Sequence, residues 1–114
     1  MPKSVTRSYS RYTEEAITLL SGLIHAARLE RRLSAQEVSE RVGISRSMLQ
    51  RIAKGDLKCE IGAVFEVAAI VGVNLFNADP SSLTLARHIQ KTEEKLALLP
   101  QKARKKIKVV DDDL

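Results

Sequence analysis

Four polar side chains recur on one face of a short segment, and their types suit hydrogen bonding to nucleic-acid bases. Arg46, Ser47, Gln50 and Arg51 stand at the three- and four-residue spacing that aligns side chains on a helix. An arginine can donate two hydrogen bonds to O6 and N7 of guanine, and a glutamine can bond the corresponding edge of adenine. A serine can donate or accept. The spacing therefore predicts a helix face that contacts base edges in a major groove.

The flanking sequence, LSAQEVSERVGISRSMLQRIAKG at residues 33–55, predicts two short capped helices. Ser34-Ala35-Gln36-Glu37 matches a capping box, in which serine and glutamate each bond the other's backbone amide. Gly43 can adopt the left-handed conformation that ends a helix, and Ser45 is a second cap. Gly55 ends the second helix. Two capped helices joined by one tight turn are typical of a helix-turn-helix.

A second set of residues is predicted to meet DNA phosphates, which would position the protein without specifying a sequence. It consists of Ser34, Gln36, Ser45, Lys54 and Lys58. The apolar residues between the two helices are predicted to face inward, and these are Val38, Val42, Ile44, Leu49 and Ile52. The alternative for the polar residues is a solvated face that binds nothing specific.

Three further helices complete a predicted all-α, five-helix fold. Helix one is predicted from Thr13 to Leu33, helix four from Glu60 to Val71, and helix five from Ser81 to Leu99. Asp79-Pro80 predicts the start of helix five, because proline suits the first helical position. The line expected to face inward on helix four is Ile61, Val64, Phe65, Ala68 and Val71.

Charge and composition divide the 114 residues into four regions. We predict a flexible basic arm at 1–12, a helix-turn-helix DNA-binding domain at 13–79, a C-terminal helix at 80–99 and a charged tail at 100–114. The net charge of +5 lies in the flanks, since eight basic residues face two acidic ones between positions 80 and 108. Such basicity suits either a polyanion or an acidic protein.

An apolar stripe on helix five has two explanations. Leu85, Ile89, Leu96 and Leu99 recur at alternating four- and three-residue steps. The stripe either forms a dimer or partner contact or packs against its own domain.

Several other classes of protein are disfavoured. Cys59 is the only cysteine, so there is no intrachain disulfide, and we expect a cytoplasmic protein in which Cys59 is a small buried residue. No apolar run is long enough to cross a membrane, and we expect that the N-terminal residues are not a secretory signal. The acids at 111–113 are adjacent in a tail and form no fixed metal cage, and His25 and His88 lie on separate helices. We expect no metal, no cofactor and no enzymatic activity.

The run of cap, glycine turn, polar helix and closing glycine makes the segment from Ile24 to Leu75 resemble the lambda-repressor-like, or XRE-family, DNA-binding domain. The resemblance implies a sequence-specific regulator of transcription. One such module contacts only a few base pairs, so we expect a homodimer on a palindromic double-stranded operator.

Two positions depart from the family pattern. Many members carry Gln directly after the capping Ser, whereas this chain has Ala35 there and Gln36 one place later. Many also pair an Arg of helix one with a Glu near the end of helix three; Arg28 matches the first, but Ala53 occupies the second. Arg28 is therefore expected to find another partner, for example Glu37, or to stay solvated.

The whole chain is similar to small HipB-type antitoxins, which are encoded beside HipA-like kinase toxins. The similarity lies in SYSRYTEEA, HAARLERRLSAQEV, KGDLKCEIGAVFEVAAIVGVNLF, EEKLALLP and VVDDDL. It implies a dimer that represses its own operon and neutralises a Ser/Thr-kinase toxin. The alternative is a stand-alone XRE-family regulator with no toxin partner.

Overall fold

The computed structural model describes residues 8–102, and the helices within them confirm the all-α, five-helix fold. In chain order the elements are α1 (Arg11–Glu30), α2 (Ala35–Val42), α3 (Arg46–Ala53), α4 (Ile61–Val71), a 3₁₀ turn (Leu75–Asn77) and α5 (Thr84–Leu98). Residues 1–7 and 103–114, which hold much of the predicted arm and tail, lie outside the described part.

The chain divides into two compact units after Asn77. The first unit contains α1 to α4, and the second contains α5.

The core of the first unit is aliphatic and is built where α1, α2, α3 and α4 meet. Val38 of α2 and two residues of α4, Val67 and Val71, are fully buried. Ile24, Leu49, Ile52 and Ala68 complete the buried cluster. Burying each Val, Leu or Ile side chain contributes about 1.5–3 kcal/mol, so this cluster supplies the main force that holds α2 and α3 in place.

Helix α1 differs from the prediction at both ends. It begins at Arg11, two residues early, because the Ser10 hydroxyl accepts a hydrogen bond from the Thr13 amide at 3.2 Å and caps the helix. It ends at Glu30 rather than Leu33, because Arg32 adopts a left-handed conformation with φ 56°. The Leu33 amide then donates back to the Arg28 carbonyl at 3.1 Å.

The predicted start of helix five was wrong. Asp79 caps a turn instead of a helix, since its Oδ1 accepts hydrogen bonds from the amide and the hydroxyl of Ser81, both at 2.9 Å. The Ser82 amide also donates to the Asp79 carbonyl at 3.0 Å. This local turn satisfies the groups that would begin a helix, and α5 starts later, at Thr84.

The line predicted to face inward on helix four also needs one correction. Ile61 remains 71% exposed at the first position of α4. Ala68 and Val71 are buried, while Val64 and Phe65 are half-buried. The contacts with the core therefore concentrate in the later turns of α4.

Candidate nucleic-acid interface

The start of α2 is fixed by the predicted capping box. The Ser34 hydroxyl accepts from the Glu37 amide, and the Glu37 carboxylate accepts from the Ser34 amide, each at 3.0 Å. These hydrogen bonds hold the pKa of the Glu37 carboxyl below its usual value, with Arg41 adding a smaller effect of the same sign. At the other end, Gly43 closes α2 with φ 82°. Both local predictions for this helix are confirmed.

Helix α3 is positioned from its N-terminus and from its buried face. The Ser45 hydroxyl accepts from the Met48 amide at 3.0 Å, as predicted for a cap. Leu49 and Ile52 are buried, and Ile44 is half-buried in the turn before the helix. Because Leu49 and Ile52 face the core, the opposite side of α3 is left toward solvent.

A buried hydrogen bond connects α1 to the last turn of α3. The Ser21 hydroxyl, 8% exposed, donates to the Ile52 carbonyl at 2.9 Å. No motif marks Ser21 in the sequence, because a serine within an apolar helical pattern carries no sign of its distant acceptor. Its role here is to position α3.

The four predicted base-contacting residues are all exposed on α3. Arg46 and Ser47 lie in its first turn, and Gln50 and Arg51 lie in the next. The structure therefore brings all four to the solvent side of one helix, opposite the buried Leu49 and Ile52. An arrangement of two arginines, an amide and a hydroxyl can meet donor and acceptor groups on base edges.

Arg51 is held by Asp56, which was not among the predicted site residues. Its Nε donates to Oδ2 of Asp56 at 2.8 Å, and Oδ1 of the same carboxylate accepts from the Lys58 amide at 2.8 Å. These hydrogen bonds lower the pKa of Asp56, and the pairing raises the pKa of Arg51. The signal in the sequence was an aspartate directly after a helix-ending glycine, a position typical of turns.

The five predicted phosphate-contacting residues are exposed in the described structure, but their local roles differ. Ser34 and Ser45 accept hydrogen bonds as helix caps, which leaves each hydroxyl proton able to bond an anion. Gln36 donates to the Glu40 carboxylate. Lys54 is the C-terminal cap of α3, and the Lys58 backbone is held by Asp56.

Arg28 finds another partner, as expected, but that partner is not Glu37. Its Nη1 donates to the Leu33 carbonyl at 2.8 Å, so it holds the connection between α1 and α2 rather than bonding Glu37 or remaining solvated. Beside it, the small side chain of Ala53 borders a cavity of about 400 Å³ that is also lined by Ala35 and Lys54. Arg28 lines the same cavity.

The apolar stripe of the second unit lies on a helix without buried residues. Leu85, Ile89, Leu96 and Leu99 are between 42% and 60% exposed. Large apolar side chains this exposed along one helix mark an interaction surface more often than scattered single ones do.

Other kinds of site find little support in residues 8–102. In that range no group of three or more His, Cys, Asp or Glu side chains is arranged to hold a metal ion. No helix within it has the length and apolar character needed to span a bilayer.

Cys59 is half-buried rather than fully buried, and this burial raises the pKa of its thiol.

Comparison with known families agrees with this geometry. Residues 24–75 match a family model described as helix-turn-helix. No curated protein and no solved structure matches the chain. The matched segment runs from the middle of α1 to the 3₁₀ turn and contains both capped helices. The match to residues 24–75 supports an XRE-type helix-turn-helix regulator that binds DNA, and the five-helix fold of the described residues is consistent with a lambda-repressor-like domain.

Proposed function

We propose that this protein is a sequence-specific transcriptional repressor that inserts α3 into the major groove of its operator. The observation that carries the proposal is the division of α3 into two faces. Leu49 and Ile52 are buried, while Arg46, Gln50 and Arg51 are exposed. The chain then acts in the cytoplasm as a binding protein rather than an enzyme.

The size of α3 determines what it can contact. An α-helix with its side chains is about 10–12 Å across, which fits a major groove about 12 Å wide, and the eight residues of α3 extend for about 12 Å along their axis. Ser34 and Ser45 lie at the N-termini of α2 and α3, where backbone amides and the helix dipole favour a phosphate. Base contacts from α3 and phosphate contacts from both helix ends can therefore form together.

The test is a selection of preferred sequences from random DNA, followed by binding to the selected site and to scrambled DNA. Replacing Arg46 and Arg51 by Ala should lower selectivity by about 5- to 150-fold for each arginine, the range for a bidentate guanine contact. The matched control removes two exposed arginines elsewhere, Arg11 of α1 and Arg87 of α5. Undiminished selectivity in the first variant, or an equal loss in the control, would contradict the assignment of α3.

The proposal includes a homodimer, because one short helix contacts too few base pairs for a unique site. A two-fold dimer would place two α3 helices on half-sites about 34–36 Å apart, one turn of DNA. The exposed stripe on α5 supports this second copy. Replacing Ile89 and Leu96 by Glu should produce a monomer in sedimentation experiments, whereas Gln90→Glu, on the same helix, should remain a dimer. A dimer that survives both stripe substitutions would remove α5 from the interface.

The finer proposal is an antitoxin that neutralises a HipA-like Ser/Thr-kinase toxin and represses its own operon. Its support is the resemblance of the sequence segments quoted above to those of HipB-type antitoxins. The alternative is a stand-alone regulator that uses the same DNA contacts. Both share the operator-binding domain and differ only in whether a second protein binds.

Purification of the tagged full chain from its native cells distinguishes the two. A HipA-like kinase recovered in stoichiometric amount together with promoter DNA would support the antitoxin, whereas DNA alone would support the stand-alone regulator. If the C-terminal part holds the toxin, truncation after Leu99 should spare DNA binding and weaken capture of the kinase. Equal capture by the truncated and full chains would exclude the tail as the toxin contact.

A further inference from the structure

Asp56, in the loop after α3, is tied to Arg51 through both its side chain and its backbone. Its Oδ2 accepts from Nε of Arg51 at 2.8 Å, and its amide donates to the Arg51 carbonyl at 3.0 Å. Its Oδ1 accepts from the Lys58 amide at 2.8 Å. Three hydrogen bonds therefore fix Asp56 relative to the last turn of α3, and two of them are made by its carboxylate.

The backbone after α3 makes this return possible. Gly55 has φ 77°, a left-handed conformation that turns the chain back toward Arg51. A Cβ at position 55 would lie 3.4 Å from the hydroxyl oxygen of Ser21, so this turn also packs closely against α1. The Asp56 carboxylate therefore lies on a loop whose position is fixed by packing against α1.

The hydrogen bond to Nε restricts how Arg51 can bind a base. A guanidinium carries five N–H donors in a planar fork, and it can meet O6 and N7 of guanine through both terminal nitrogens or through Nε and one terminal nitrogen. With Nε occupied by Asp56, the two terminal nitrogens remain. The Arg51 side chain is 44% exposed, so its terminal end is open to a partner.

The same carboxylate disfavours a phosphate as the partner of Arg51. A phosphate that approached Nε would come close to the negative charge of Asp56, and like charges repel. A neutral base edge at the terminal nitrogens carries no such penalty. The geometry therefore favours a base contact over a backbone contact for Arg51.

We infer that Asp56 is a positioning residue. It orients Arg51 so that the two terminal guanidinium nitrogens contact a guanine, and it thereby sets the sequence preference at one base pair. The inference rests on the proposed function of α3. Arg46 supplies a comparison within the same helix, because it has no ionic partner among the described residues. Only the base pair contacted by Arg51 should depend on Asp56.

The experiment compares Asp56→Asn with the unmodified full chain on the selected operator and on operators that replace one base pair at a time. A side chain that is already ordered in the free protein loses less conformational entropy when it binds. Losing the hydrogen bond from Arg51 to Asp56 should therefore reduce the guanine preference at the Arg51 position by about 2- to 12-fold. Preferences at other positions should not change. Asp79→Asn is the matched control, since it removes one charge from a turn carboxylate that accepts hydrogen bonds from Ser81.

Two further measurements separate positioning from a general structural effect. In the Arg51→Ala background, Asp56→Asn should cause no additional change in selectivity. In the free protein, the Nε–H resonance of Arg51 should exchange slowly with water in the unmodified chain and rapidly in Asp56→Asn.

The outcomes distinguish this inference from the proposed function. An unmodified chain without sequence-selective binding would overturn the role of α3 and, with it, the inference. If Arg51→Ala loses the guanine preference while Asp56→Asn retains it, the role of α3 stands and the inference is overturned. A loss of selectivity from Asp56→Asn that persists in the Arg51→Ala background would overturn it as well.

Discussion

Gly43, in the turn between α2 and α3, provides the most direct test of how the helix pair is built. It adopts φ 82°, and a Cβ added there would meet no atom within 4 Å. Gly43→Ala therefore introduces backbone strain without a steric clash. An L-residue in the left-handed region costs about 1–2 kcal/mol, so the free energy of unfolding should fall by that amount.

Thermal and urea unfolding of the full chain measure this change. For a domain of this size, 1 kcal/mol corresponds to a shift in Tm of about 4–8 °C. Gly22→Ala is the matched control, because Gly22 lies inside α1 and a Cβ there also meets no atom within 4 Å. Since alanine is about 1 kcal/mol more favourable than glycine within a helix, this variant should be more stable than the unmodified chain.

The two substitutions add the same methyl group and should change stability in opposite directions. Equal stability of Gly43→Ala and the unmodified chain would refute the left-handed turn between α2 and α3. A decrease in both variants would show that the added methyl group, rather than the backbone conformation, is responsible.

Three other predictions concern stability. Ser21→Ala removes the hydrogen bond to the Ile52 carbonyl and should lower the free energy of unfolding by about 1 kcal/mol, measured in urea; an unchanged midpoint would contradict that bond's contribution. Ala53→Glu places a carboxylate beside the half-buried Arg28 and should raise the free energy of unfolding by about 0.2–1 kcal/mol relative to the neutral control Ala53→Gln. Equal Tm values for the two variants would contradict an ion pair between the introduced carboxylate and Arg28. Folding lowers the pKa of the Glu37 carboxyl, so the ionised carboxylate stabilises the fold above pH 4.5, its usual pKa, and this stabilisation is lost as the pH falls through the lower pKa of the folded state. Glu37→Gln should therefore make stability less sensitive to acid. A variant whose stability falls below pH 4.5 as steeply as that of the unmodified chain would refute this prediction.

The sequence was most informative where the determining interaction spans only a few residues. Ser34 and Glu37 bond each other, and Ser45 bonds the amide three residues ahead. Gly43 needs no partner at all, since its conformational freedom is a property of the residue itself. These local signals were sufficient to place the helix pair and to predict which face of α3 is exposed.

The other helix boundaries and the side-chain partners could not be predicted, because local interactions compete at some positions and the partner lies far away in the sequence at others. Asp79 suits both a helix cap and a turn, and the two serines that follow it decide for the turn. Ser10 was assigned to the arm because the apolar pattern begins only after it, yet it caps α1. The partners of Arg28 and Ser21 depend on how α1 meets the other elements, which no spacing within one helix shows.

Helix α3 is too short to be stable by itself, since isolated helices below about 12–15 residues are marginal in water. Its position therefore depends on contacts at both ends and along its buried face: the Ser45 cap, the Ser21 hydrogen bond to Ile52, and the core around Leu49. The core supplies most of the free energy of folding, whereas the polar contacts mainly fix where the helix ends lie. On the proposed function, a small displacement of α3 would misplace Arg46 and Arg51 relative to base edges while most of the core remained intact. Loss of DNA selectivity should consequently precede loss of fold when these polar contacts are removed.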